Sequence, residues 1–216
     1  LFVAIADAET GGGVMTSPDG ITWTLRTMAS NSNFWNCVTY GNGLYVAVAT
    51  TGTGNRVQTS PDGITWTLRT SAADNQWRSV TYANGVFVAV AGSGTGNRVM
   101  TSADGLTWTI RTSAADNFWR WVTYGGGSFV AVSSTGTGDR VMTSPDGITW
   151  TSRVSASDIE WTAVVYSGSL FAAVGQTGTI QRVMTAPSSS GTNEVQRITV
   201  AGTPTHRSRT RAGRLG

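Results

Sequence analysis

Apolar residues along this chain come in two forms: short continuous runs, and single residues at every second position. WRSVTY at 77–82 leads through Ala-Asn-Gly into VFVAVA at 86–91. RVMTS at 98–102 follows a Gly-rich stretch, and LTWTIRT at 106–112 follows Ala-Asp-Gly. In that last segment Leu106, Trp108 and Ile110 alternate with Thr107, Thr109 and Arg111. This is the period of a strand with one wet face. VFVAVA is apolar on both faces, as expected of a strand packed between two sheets. Asn-Gly and Asp-Gly tolerate the positive φ of tight hairpin turns. The pattern predicts four short antiparallel strands, A to D, and no helical period.

The pattern recurs. Trp23, Trp66, Trp108 and Trp150 are spaced 43, 42 and 42 apart, and Trp35, Trp77, Trp119 and Trp161 are spaced 42 apart throughout. Such a period points to a propeller or a solenoid. Four strands per period select an all-β, β-propeller architecture. The expectation is one domain over 1–200 with five blades, near 1–27, 35–70, 77–112, 119–154 and 161–200. Residues 201–216 read as an Arg-rich disordered tail. Strands B and C occur five times and A and D four, which makes 18 where five full blades need 20. A segment near Glu194–Val200 could supply a last D strand and close the ring with the first blade. The alternative is a fragment of a longer array, because LFVAIA at 1–6 matches LYVAVA at 44–49 and starts inside a repeat.

TSPDGITWT stands at 16–24, 59–67 and 143–151, with TSADGLTWT at 101–109. Ser60, Asp62, Gly63, Thr65 and Trp66 resemble the Asp-box, or BNR, repeat of sialidase-type propellers, Ser-x-Asp-x-Gly-x-Thr-Trp. Gly follows Asp directly here, one residue sooner than in that pattern. The resemblance covers 1–187 and implies a propeller whose box is a turn on the face away from the ligand. It does not bring the sialidase catalytic set. In that family three Arg, a Tyr–Glu pair and an Asp occupy unlike positions in different blades. Here Tyr40, Tyr82, Tyr124 and Tyr166 are repeat-equivalent, and Glu9, Glu160 and Glu194 are the only Glu residues. Arg153 reads as a shifted neighbour of a repeated Arg slot. The chain is therefore expected not to be an enzyme.

Composition adds exclusions. The 15 basic residues are all Arg and the net charge is +3, but four Arg lie in the last ten residues. The body is close to neutral, which argues against a nucleic-acid partner. Cys37 is the lone cysteine, so no intrachain disulfide forms. His206 is the sole histidine. With it in the tail, neither a His-based triad nor a His-based metal site is expected, and no cofactor is indicated. No apolar run reaches the length of a membrane span.

Tight A–B and C–D turns should lie at one end of the blades, and the longer B–C and D–A loops at the other. Function concentrates on loops held by a rigid scaffold. The candidate ligand-binding set is Asn75, Trp77, Arg78, Asn97 and Arg98, with Asn117, Trp119, Arg120, Asp139 and Arg140 in the next blade and Asn55 and Arg56 in the preceding one. Amide and guanidinium donors beside an aromatic face suit a sugar, and repetition would give avidity. The bland alternative is that Trp is core, Asp pairs with Arg and Asn caps the turn. The function expected is a non-catalytic binding or adhesion module, lectin-like and carbohydrate-binding, in an extracellular, cell-surface or phage-associated protein. The alternative is a protein–protein scaffold, and behind it a sialidase-like glycoside hydrolase, so the expected partners are glycans or a protein.

Overall fold

The computed structural model describes residues 1–6, 13–30, 32–178 and 182–188. Among them are 18 strands in five antiparallel sheets. The first sheet holds β1 (Phe2–Ile5), β2 (Val14–Ser17) and β3 (Thr24–Arg26). The second holds β4 (Trp35–Gly41), β5 (Leu44–Ala49), β6 (Val57–Ser60) and β7 (Thr67–Arg69). The third repeats it as β8 (Trp77–Ala83), β9 (Val86–Ala91), β10 (Val99–Ser102) and β11 (Thr109–Arg111). The fourth is β12 (Trp119–Gly125), β13 (Ser128–Ser133), β14 (Val141–Ser144) and β15 (Thr151–Arg153). The fifth is β16 (Trp161–Tyr166), β17 (Leu170–Gly175) and β18 (Val183–Pro187).

Each sheet is a blade of a β-propeller, and its strands pair in chain order. No strand of the first blade pairs with a strand of the last among the described residues. The expected closing strand near Glu194–Val200 and the tail at 201–216 lie outside the described residues, as does Glu9.

Hydrophobic burial between blades joins the array. Val46, Val48 and Val57 of the second blade meet Trp77, Phe87, Ala89, Ala91, Met100 and Trp108 of the third. Val88, Val90 and Val99 repeat this against Trp119, Phe129, Ala131, Met142 and Trp150. Every blade thus has a valine side and an aromatic side. The A-strand tryptophans Trp35, Trp77, Trp119 and Trp161 are almost wholly buried. Each removes ~150–250 Å² from water, roughly 4–6 kcal/mol gross at ~25 cal/mol/Å². Their indole N–H groups donate to D–A loop carbonyls, as Trp77 Nε1 does to Ala73 O at 3.0 Å.

The A strands lie innermost and bond one another across blades. Asn36 Nδ2 donates to Arg78 O at 2.9 Å, and the Val122 N–H donates to Ser79 Oγ at 3.2 Å. Cys37 is buried against the next blade, with Sγ 3.6 Å from Val80 O, and burial raises its thiol pKa.

Two local readings change. Strand D is three residues long, because residues 103–107 form the turn instead. Leu106 is exposed while Trp108 is buried, so the apparent alternation there is a turn with one anchored indole. Arg153 is not displaced from the repeat. Its Nε donates to Thr143 Oγ1 as Arg26, Arg69 and Arg111 donate to Thr16, Thr59 and Thr101.

Candidate ligand-binding face

The D–A and B–C loops meet at one end of the blades. Asn75 is 7% exposed, and its Nδ2 donates to Asn97 O at 2.8 Å and Asn97 Oδ1 at 3.1 Å. Asn117 holds Asp139 O and Oδ1 at 3.0 Å each, and Asn33 holds Asn55. Gly94 makes room for this clasp: its φ is +105°, and a Cβ there would press on Asn75 and Asn97.

Arg56, Arg98 and Arg140 are consumed by the same loops. Arg98 Nε donates to Gly94 O at 2.8 Å, and its Nη1 to Gly92 O and Asn117 O. Asp74, Asp116 and Asp158 lie 3.5–3.7 Å from these guanidiniums. Each also accepts a loop amide, as Asp116 does from Gly96 N at 2.6 Å. Trp77 and Trp119 are 0% exposed and offer no ring face to a ligand. Of the twelve candidates, Asn55, Asn75, Asn97, Asn117, Asp139, Arg56, Arg98, Arg140 and the two Trp are thereby engaged in building the scaffold.

Arg78 and Arg120 differ. They start the A strands of neighbouring blades, where the D–A loops deliver the chain to the innermost ring. Both guanidiniums sit over Phe118, at 5.0 and 4.6 Å from the ring centroid. The ring is seated against backbone, since a Cβ on Gly92 would meet it at 2.6 Å. Arg78 donates to the side-chain oxygens of Asn36 at 3.4 Å and Gln76 at 3.1 Å, and Arg120 Nε to Ser134 Oγ at 3.2 Å. Both side chains are half-buried. Two positive charges held by one aromatic face favour an anion that both forks can grip.

Phe118 was not among the sequence candidates. Its position, just before the A-strand Trp, carries Phe34, Gln76, Phe118 and Glu160 in successive blades. The variability of that position was the available signal.

The opposite end carries the Ser-Pro-Asp-Gly turns. Asp62 Oδ1 accepts from Ser60 Oγ at 2.9 Å, Ile64 N at 2.8 Å and Thr65 N at 2.7 Å. Trp66 Nε1 donates to Gly63 O at 3.2 Å. The Thr65 and Ile64 amides pull the Asp62 pKa down to about 2. Asp19, Asp104 and Asp146 are lowered by the same bonds. Shallow clefts lie on the outer rim, one lined by Ile110, Arg111, Ile148 and Trp150. They sit away from the Phe118 cluster and converge no comparable charge.

No family model matches the chain, and no curated protein matches it in sequence. Its fold is shared with solved β-propellers. YCF48 bound to D1 peptide is 18% identical, with a TM-score of 0.60 over 85% of this chain and 58% of that one. Virginiamycin B lyase from Staphylococcus aureus is 11% identical, with a TM-score of 0.63 over 75% of this chain and 55% of that one. The GH74 enzyme of Niastella koreensis is 13% identical, with a TM-score of 0.66 over 90% of this chain and 34% of that one. The chain thus spans about a third to three-fifths of these proteins' lengths. The likenesses establish the propeller, and their functions differ among themselves.

Proposed function

We propose that this propeller is a non-catalytic binding module whose long-loop face takes a protein segment bearing carboxylates. The observation that carries the reading is the pair of guanidiniums, Arg78 and Arg120, over the single ring of Phe118. Arginine forks bind carboxylates through paired N–H donors, and the ring holds those forks in place. A non-catalytic role is supported by the use of the nearby aspartates. Asp74, Asp116 and Asp158 hold loops together, and Asp139 accepts from Asn117. A propeller of similar fold is solved with a peptide bound.

The carbohydrate reading survives in narrower form. Repeated sugar sites would need repeated ring faces, and the tryptophans repeated at this end, Trp35, Trp77, Trp119 and Trp161, are buried. A single site for an acidic sugar uses the same two arginines, because its carboxylate is the same chemistry.

The test is a titration followed by calorimetry, with three probes: an Asp/Glu-rich peptide, its Asn/Gln counterpart, and an oligouronate. The acidic peptide should bind, its neutral counterpart should not, and Arg120→Ala and Arg78→Ala should each weaken binding at least tenfold. Arg111→Ala, on the outer strand, should leave it unchanged. Binding of the oligouronate alone would replace the peptide by an acidic glycan. No binding of either acidic probe would sink the reading.

A further inference from the structure

Each internal junction of the array has the same two halves. The valine side of one blade meets the aromatic side of the next, and four such junctions bury their residues. Among the described residues nothing covers the two outermost halves. On the first blade, Phe2, Met15 and Trp23 occupy the aromatic-side positions and are 55%, 42% and 38% exposed. Their counterparts in the third blade, Phe87, Met100 and Trp108, are 0%, 0% and 8% exposed. On the fifth blade, Val174 and Val183 occupy valine-side positions and are each 46% exposed. The counterparts Val90 and Val99 are fully buried.

We propose that these end faces dock on one another between two copies of the chain, the fifth blade of one against the first blade of the other. The occupant follows from continuity with the interface already present. An aromatic half is matched four times in this molecule, each time by an aliphatic half rich in valine, and in three of the four it carries Phe, Met and Trp. The protein presents one uncovered half of each kind among its described residues. The two halves are different surfaces, so the contact is head-to-tail. It leaves a further free end unless the arcs close into a ring. An uncovered apolar face of this kind is an association surface rather than an ordinary soluble exterior.

Sedimentation velocity across a range of protein concentrations tests this. The unaltered chain should show mass increasing with concentration. Trp23→Arg blocks the aromatic end and Val183→Asp the valine end. Each variant alone should remain a single chain. An equimolar mixture has one competent face of each kind and should form a dimer and nothing larger. Met15→Lys and Val174→Lys form a second pair should either first variant lose its far-ultraviolet circular dichroism. A single-chain mass for the unaltered protein at every concentration would overturn the proposal. So would association that survives both end substitutions, or a mixture of folded variants that forms no dimer.

Discussion

Both ends of the blades are organised around a repeated aspartate, and they use it in opposite ways. At the turn end, Asp104 accepts from Ser102, Leu106 and Thr107, all within three residues of itself. At the loop end, Asp116 accepts from Gly96, twenty residues earlier, and faces Arg98. The first aspartate shapes a turn; the second stitches a D–A loop to the preceding B–C loop. Asn117, its immediate neighbour, then clasps the loop of the following blade. Adjacent residues in sequence therefore tie together two blades. Hydrogen bonds alone do not separate shape from assembly; their span along the chain does.

That contrast can be broken. Asn117→Ala should have the largest effect, because it removes a buried side chain and leaves the half-buried Asp139 carbonyl without its donor. We expect a loss of about 1–3 kcal/mol in denaturant unfolding, with increased amide exchange in the 135–140 loop. Asp104→Ala removes bonds at a solvent-facing turn and should cost about 1 kcal/mol, with exchange changes confined to 103–108. Equal and global effects of the two substitutions would erase the distinction.

Acid sharpens it next. The box aspartates have pKa values lowered on folding, so their stabilising effect is present above their unfolded pKa, near 4, and is lost as pH falls toward 2. Melting temperature should drop through that window. Asp62→Asn should flatten part of the drop, and an acid limb unchanged by this substitution would assign it elsewhere. The smallest structural effect should come from Arg120→Ala. It belongs to neither set of aspartate bonds, and its stability should stay within ~0.5 kcal/mol of the unaltered protein while acidic-peptide binding falls.

The propeller was legible because two tryptophan series and the Asp-Gly and Asn-Gly turns repeat at fixed spacing, and all 18 strands appear where that spacing puts them. Strand D was overextended because Leu106 and Trp108 alternate as a strand would, while the backbone between them is held by Asp104. The candidate face was legible only in part. Repetition drew attention to Asn75, Arg98 and Trp119, whose recurrence reflects the recurring junction they build. Arg78 and Arg120 were found with them. Phe118, which gathers both, stands at a position that varies between blades (Phe34, Gln76, Phe118, Glu160), and a reading of the constant positions passes over it. Here the positions constant in every blade, such as the A-strand tryptophans, build the scaffold, and the Arg78–Phe118–Arg120 cluster falls at positions that vary.

The boxes also bear on how the chain finds its fold. Each closes through bonds between residues two or three apart, as Ser60–Asp62, Asp62–Thr65 and Gly63–Trp66 show. Such a turn needs no neighbouring blade in place before it forms. The hairpins on either side are local too, so the turns and hairpins of a blade can form before the longer-range docking between blades that slows all-β folding. Order can then start in any blade and spread outward by nearest-neighbour docking, as in linear repeat arrays.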